Sequence, residues 1–153
     1  MRRYFLVLSI LLGLFSLSAQ AAEDGLITKK SAYTVAETLN RLERALKKKG
    51  ITVAMRWNHA AKANAVDIPV QPMEILIFGN PKMGSHLFTS NPTAGIDLPM
   101  KALAWQDDKG HVYLSYNDPA YIAKRHHIKD RKNIFKKMSK ALNKLSNMAT
   151  GRH

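Results

Sequence analysis

Cysteine is absent from the 153 residues of this chain. The absence excludes disulfides, thiolate metal sites, cysteine nucleophiles and thiol redox chemistry. Stability must therefore come from a packed core, and a chain of this length can bury one as a single domain. Internal repeats and low-complexity segments are absent as well, so nothing divides the chain into repeated units.

Acidic residues are scarce, because 11 Asp and Glu stand against 24 Lys and Arg and give a net charge of +13. From Ala120 onward, ten Lys and Arg oppose a single acidic residue, Asp130. A strongly basic chain suggests nucleic acid as a partner, but an exported protein would not meet it. Anionic membrane or cell-wall surfaces are then the better candidates. Lysines that only solvate one face of a helix explain the same pattern.

Export is predicted from the single long apolar run, Tyr4 to Leu17, which follows Arg2 and Arg3. Ala19-Gln20-Ala21 supplies the small-x-small cleavage signal of a secretory peptide. The run is shorter than the roughly 20 apolar residues that span a bilayer, which argues against a membrane anchor. We therefore expect a signal peptide, residues 1–21, cleaved after Ala21, and a periplasmic or secreted protein.

A helix is predicted from Thr34 to Gly50. Thr34 and Glu37 fit a capping box, and apolar residues recur at intervals of three and four from Val35 to Leu46. Gly50 can adopt the left-handed conformation that ends a helix. Shorter helices are predicted at residues 60–66, 80–90 and 118–126. A long one follows from Asp130 to Met148, with an apolar stripe opposite a row of lysines.

Strands are predicted at residues 27–33 and 51–58, the second from strict alternation of apolar and polar side chains. Ile75 to Phe78 is apolar on both faces, which is typical of a central strand. Residues 98–106 and 112–116 form a hairpin closed by the turn Asp107–Gly110. This mixture predicts an α+β fold: a two-layer sandwich whose mostly antiparallel sheet has helices packed on one face, plus a C-terminal basic amphipathic helix.

Three ordered motifs resemble the signature of the DUF302 family. They read Phe78-Gly-Asn-Pro-Lys-x-Gly84, Ile96-Asp-Leu-Pro99 and Tyr116-x-Asp-Pro-x-Tyr-x-Ala-x-x-His126, and the family's first histidine is matched by His59. Two positions depart from the family, since Asn58 stands where an acidic residue is common and Asp67 where glycine is. The resemblance implies a family fold and a homodimer, and it implies no reaction. The expected organisation is a signal peptide (1–21), a linker with the first strand (22–33), a DUF302-like domain (34–127) and a basic C-terminal helix and tail (128–153).

Six polar residues at strand ends or near helix termini form the candidate ligand-binding set: His59, Asn80, Asp97, Tyr116, Asp118 and His126. We expect them to gather at one edge of the sheet. Each also has an ordinary structural explanation. Asn80 and Asp118 precede prolines, as helix caps do, Asp97 can fix a turn, and Tyr116 can be a core residue with a hydrogen-bonded hydroxyl. His126 at a helix end is favoured there as a cation.

Specific chemistries receive weaker support. Gly84-Ser85-His86 is the nearest candidate for a nucleophile, but it lacks the Gly-x-Ser-x-Gly context and falls within a predicted helix. His126 and His127 are adjacent, so on a helix they diverge by roughly 100° and cannot bind one metal together. His59 and His126 are the candidate metal ligands, and a site that adds Asp97 and Asp118 stays open. Asp118 and His126 lie about 12 Å apart along one helix, so a compact site would need His126 from a partner subunit.

The sequence therefore predicts an exported, non-catalytic domain that binds a small ligand or a partner. The alternatives are a metal-binding or redox-accessory protein, and an envelope enzyme that uses Asp118 or His126 in acid–base chemistry. No cofactor is indicated. The expected partners are a second copy of the chain, a small ligand, and an anionic envelope surface contacted through the lysines of the last helix, Lys132, Lys136, Lys140 and Lys144.

Overall fold

The computed structural model describes residues 24–152. The predicted signal peptide, residues 1–21, lies outside this range. Within residues 24–152, no helix has both the length and the apolar character needed to cross a membrane.

The described part of the chain forms five strands and five α-helices. In chain order they are β1 (Leu26–Ser31), α1 (Val35–Lys48), β2 (Thr52–Asn58), α2 (His59–Asn64), β3 (Met73–Gly79), α3 (Pro81–Phe88), a 3-10 helix (Pro92–Ile96), β4 (Met100–Gln106), β5 (Val112–Asn117), α4 (Pro119–Arg125) and α5 (Lys132–Thr150).

The five strands form one sheet in the order β1-β5-β4-β3-β2, and every neighbouring pair is antiparallel. The helices α1 and α5 pack against each other and against the sheet. The predicted two-layer α+β architecture is therefore confirmed. The predicted hairpin is present as β4 and β5, and Gly110 has a φ of +81° in the turn that joins them.

Side chains alternate across this sheet as strand geometry requires. In β4, Met100, Ala102 and Ala104 are buried beneath the helices, and the intervening Leu103 and Trp105 lie on the opposite face. We call that opposite face the outer face. Trp57 pairs with Ile75 and Ile75 with Leu103 across neighbouring strands, and Trp105 pairs with Tyr113, so these five side chains lie on the outer face. Because this outer face is apolar as well as the face beneath the helices, β3 carries apolar side chains on both sides, as the sequence indicated.

The helix α1 begins as predicted, but only half of the capping box forms. Thr34 Oγ1 accepts a hydrogen bond from the backbone N–H of Glu37 at 3.2 Å. The Glu37 carboxylate does not return to Thr34, because it binds Arg44 at 2.8 Å instead. The helix ends before Gly50, whose φ of +64° is the left-handed conformation expected there.

The helix α5 is shifted by two residues from the predicted range 130–148. Asp130 does not cap it, because its carboxylate accepts from Ser90 Oγ at 2.5 Å and pairs with Arg131 at 2.7 Å. Four large apolar side chains of the helix are buried in the core: Phe135, Met138, Leu142 and Leu145. At about 1.5–3 kcal/mol for each side chain, they hold α5 against the domain.

The 3-10 helix Pro92–Ile96 was not predicted. Asn91 caps it by accepting from the backbone N–H of Thr93 at 3.0 Å. Asp97 therefore follows the last residue of this helix, just before the range 98–106 that was predicted as a hairpin strand. The chain then passes through Leu98 and Pro99 before β4 starts at Met100.

Candidate functional site

The antiparallel sheet separates the six candidate residues between two edges. The border of the sheet where β3 and β5 end and β2 and β4 begin, at one end of the strands, is called the upper edge, and the opposite ends of the strands form the lower edge. Asn80 directly follows β3, Asp118 directly follows β5, and Asp97 lies three residues before β4. Tyr116 is the second-to-last residue of β5. His59 follows the end of β2, which pairs with the start of β3 at the lower edge. The expectation that all six gather at one edge is therefore wrong for His59.

Asp97 and His126 form a buried pair at the upper edge. The Nε2 atom of His126 lies 2.6 Å from Oδ2 of Asp97, and the two side chains are only 5% and 8% exposed. Arg125 adds a longer contact, 3.3 Å from its Nη1 to Asp97 Oδ1. The pair ties the end of α4 to the end of the 3-10 helix, two elements that are separate in sequence.

The second nitrogen of the His126 ring is also bound. Nδ1 lies 2.8 Å from Thr93 Oγ1, and that hydroxyl lies 2.9 Å from Asn91 Oδ1, an atom that can only accept. Each nitrogen of the His126 ring therefore has a hydrogen-bond partner, Thr93 Oγ1 at Nδ1 and Asp97 Oδ2 at Nε2. The Asn91 amide completes the network by donating to the His126 carbonyl at 2.8 Å. Both ring nitrogens are occupied within one subunit, and this geometry does not call for a His126 from a partner.

Asp118 caps α4, and none of the hydrogen bonds among residues 24–152 joins its side chain to His126. Its carboxylate accepts from the backbone N–H of Ala120 at 3.0 Å. Its own backbone N–H donates to the carbonyl of Gly25 at 2.8 Å and joins β1 to this edge. The capping explanation accounts for the position of Asp118.

Tyr116 faces the helices and is buried, which raises the pKa of its phenol. Its Oη lies 3.4 Å from Ser146 Oγ on α5. Ser146 in turn belongs to a polar cluster around Lys29, a residue that the sequence did not single out. The signal was present in the strand alternation, which places Lys29 on the same face of β1 as Ile27 and Ser31.

The Lys29 ammonium group is held by oxygens of α5. Nζ has four oxygens within hydrogen-bond distance for its three N–H groups: Asn147 Oδ1 at 2.6 Å, Asn143 Oδ1 at 2.7 Å, Ser146 Oγ at 2.7 Å and the Asn143 carbonyl at 3.0 Å. Lys29 is only 7% exposed, and this burial, with the nearby charge of Arg152, lowers its pKa to about 8. The cluster fastens α5 to the edge strand β1.

Asn80 is the candidate residue that borders open space. It caps α3 by accepting from the backbone N–H of Met83 at 3.3 Å, with Pro81 at the first helical position. Beside it lies a cleft of about 560 Å³ between α3, α5 and the upper edge of the sheet.

The cleft is lined mainly by carbon. Its apolar lining includes Phe78, Met83, Phe88, Leu98, Met138 and Leu142. Its polar lining consists of Lys49, Thr52, Asn80 and Ser85, and among the described residues no carboxylate lines it. The sequence did not predict this site. Each of its apolar residues has the pattern of an ordinary core residue, and the lining residues come from elements that are far apart in the sequence.

The candidate metal ligands are not brought together. His59 is exposed at the lower edge, whereas His126 is buried at the upper edge. Among residues 24–152, no group of three or more His, Cys, Asp or Glu side chains is arranged to hold a metal ion.

The fold and this upper edge define a two-layer α+β domain that combines a buried polar pair with an open apolar cleft. The family model described as "Domain of unknown function DUF302" matches residues 27–145, and the chain belongs to that family. The match includes β1 and most of α5, and so extends beyond the range 34–127 that carries the motifs.

A solved structure has the same fold. The crystal structure of an uncharacterized conserved DUF302 protein from Bacillus stearothermophilus superposes with a TM-score of 0.74 at 23% sequence identity. The match covers 82% of this chain and 98% of that one.

Curated relatives of this chain are longer proteins, and the similarity covers only part of them. The chain is 43% identical over 108 residues to proteins named "Fluoride-specific ion channel FluC 1" from Brucella suis biovar 1 (strain 1330) and Brucella abortus biovar 1 (strain 9-941). The matched region is 71% of this chain but only 42% and 40% of those relatives. The chain thus spans less than half of their length, and the activity in their name is not assigned to it.

Proposed function

We propose that the protein is an exported, non-catalytic domain that binds a small, largely apolar molecule in the cleft beside Asn80. The observation that carries this proposal is the cleft itself, because its volume of about 560 Å³ falls in the range of roughly 300–1,000 Å³ typical of small-molecule sites. Apolar walls with a few polar groups at the rim are also typical of such sites.

The lining favours a ligand with a hydrocarbon part. Each methylene group transferred from water to such a surface contributes about 0.8 kcal/mol. Three methionines, Met83, Met100 and Met138, line the cleft, and their flexible thioether side chains can adapt to ligands of irregular shape.

The other function classes have less support. Acid–base chemistry by His126 would require a ring that is 5% exposed to give up its bonds to Asp97 and Thr93. Metal or redox-accessory chemistry through His59 and His126 would require residues from opposite edges to act together. The described contacts favour neither arrangement.

The test is binding of Nile red, a neutral fluorophore that brightens in apolar surroundings. Ala141 lines the cleft but is exposed, so Ala141→Trp should fill the space without disturbing the core. We expect this variant to lose Nile red binding while keeping the wild-type melting temperature. The control is the same substitution at the exposed Ala61 on α2, which should bind normally. Equal binding by wild type and Ala141→Trp would exclude the cleft as the site.

The outer face of the sheet supports the predicted homodimer. Trp57 and Met55 are 42% and 50% exposed, and an isologous contact would cover the same apolar surface on both subunits. We therefore expect Trp57→Glu to shift the sedimentation coefficient of the purified protein to that of a monomer. A wild-type protein that already sediments as a monomer would contradict the dimer.

A further inference from the structure

We infer that the occupant of the cleft is a single-chain anionic amphiphile of the long-chain carboxylate class. Its chain lies along the apolar walls, and its head group lies among Lys49, Lys137 and Lys144, which we call the rim lysines. This inference rests on the proposed function and adds the chemical class of the ligand.

The first rim lysine is part of the cleft. Lys49 follows the last turn of α1 and is the single charged residue among the described residues that line the cleft. A lone cation at the border of an apolar space attracts a ligand with one anionic end, and it gives that ligand a fixed direction.

The other rim lysines follow from the geometry of α5. Ala141 lines the cleft, and Lys137 and Lys144 are four residues before it and three residues after it. Residues at these spacings are neighbours on a helix surface, so both lysines flank the exposed Ala141. From Lys132 to Thr150 the helix contains no Asp or Glu, and its charge along this wall is entirely positive.

The rim lysines are not neutralised within the part of the chain that the structure describes. Glu43 pairs with Lys47 at 2.9 Å, and Asp130 pairs with Arg131 at 2.7 Å. None of the ion pairs between residues 24 and 152 includes Lys49, Lys137 or Lys144. Three unpaired cations beside an apolar cleft without carboxylates complement a ligand that carries one negative charge.

The remaining lysines of α5 point elsewhere. Lys136 lies five residues before Ala141, which places it about 140° around the helix at 100° per residue. Lys132 and Lys140 lie about 180° and about 100° around the helix from Ala141, so both are further from the cleft-lining position than Lys137 at about 40° and Lys144 at about 60°. These three, which we call the back lysines, are the ones that would meet an anionic membrane, whereas the rim lysines surround a space sized for a single free chain.

The test compares dodecanoate with dodecanol, which has the same chain and no charge, by isothermal titration calorimetry. We expect dodecanoate to bind about tenfold more tightly. The triple variant Lys49→Gln, Lys137→Gln, Lys144→Gln should reduce dodecanoate affinity to that of dodecanol. The matched control, Lys132→Gln, Lys136→Gln, Lys140→Gln, removes the same charge from the back lysines and should change the affinity by less than about twofold.

Each alternative result has a distinct meaning. Equal affinity for dodecanoate and dodecanol would overturn the anionic ligand and leave an apolar binding site in place. Equal weakening of dodecanoate binding by the two triple variants would overturn the placement of the head group among the rim lysines. Absence of binding by dodecanoate, dodecanol and Nile red together would overturn the proposed function as well. Binding to phosphatidylglycerol vesicles that requires the rim lysines, without binding of free dodecanoate, would identify a bilayer as the true occupant and overturn the inference.

Discussion

The segment Asp97–Pro99 separates two regions with opposite character. Behind it, Asp97 and His126 are almost completely buried and each is hydrogen-bonded on more than one side. In front of it, Leu98 and Pro99 line an open cleft whose surface is mostly carbon. The polar region has the residues expected of a reactive site, but their side chains are buried. The apolar region is open, and among the described residues its lining contains no His, Asp or Glu.

This difference explains how the two regions contribute. A buried polar network in which every group is bonded makes one arrangement of the chain favourable and rigid. Here the network fixes the 3-10 helix against α4, and the next two residues are thereby placed at the cleft. The Asp97–His126 pair thus positions one wall of the cleft, and in the proposed function ligand contact belongs to the apolar residues.

The largest effect should come from removing α5, which forms one wall of the cleft. Deleting residues 130–153 removes four large buried apolar side chains, or about 6–12 kcal/mol of burial free energy at about 1.5–3 kcal/mol each. This is comparable with the total stability of about 5–15 kcal/mol for a typical domain. We expect no cooperative unfolding transition by circular dichroism. A truncated protein with the wild-type melting temperature would show that α5 is a separate surface element.

The next effect concerns the polar region. Asp97→Ala leaves the His126 ring buried without its carboxylate partner, and loss of one partner of a buried pair costs about 3–5 kcal/mol. Urea denaturation should show this loss in the free energy of unfolding. Asp108→Ala is the control, since Asp108 is exposed in the β4–β5 turn and should change stability by less than about 0.5 kcal/mol. A loss of less than about 0.5 kcal/mol for Asp97→Ala would show that the Asp97–His126 pair does not stabilise the fold.

Much of the fold was predictable from local pattern. The period of apolar residues indicated α1 and α5, and Asp107 to Gly110 indicated the turn between β4 and β5, because these signals depend only on nearby residues. The strand order was not predictable, because pairing joins residues far apart in sequence. The position of His59 shows the consequence: like the other candidates it lies beside a strand end, but the antiparallel pairing of β2 with β3 places it at the lower edge.

The candidate site was predictable only in part, for a similar reason. Asp97 and His126 were both selected from the sequence, but their mutual contact spans 29 positions and has no local signal. The cleft is formed where α3, α5 and the upper edge meet, and Met83, Leu98 and Met138 each look like core residues in isolation. Lys29 was missed because a lysine in a short strand ordinarily faces solvent.

A third prediction tests the polar cluster on the far side of α5. The pKa of Lys29 in the folded protein is about 8, below the value of about 10.4 for an unfolded chain. Between these values the unfolded state binds more protons, so stability should rise with pH relative to a protein without this lysine. Between about pH 7 and about pH 9.5, the free energy of unfolding of wild type, measured by urea denaturation, should rise by about 2 kcal/mol relative to that of Lys29→Met. The exposed Lys30 provides the control, since Lys30→Met should keep a constant difference from wild type.

The smallest effect compares two caps of the same chemistry. Asn80 and Asp118 each precede a proline and accept a backbone N–H at a helix start, at 3.3 Å and 3.0 Å. Replacing either by alanine should cost about 0.5–2 kcal/mol of stability. Asn80 also lines the cleft, whereas Asp118 is not among its lining residues. We therefore expect Asn80→Ala to change the affinity for Nile red and Asp118→Ala to leave it unaltered at the same loss of stability. Equal changes in affinity would show that binding follows overall stability, and the distinction between a polar region that builds the fold and an apolar region that meets the ligand would fail.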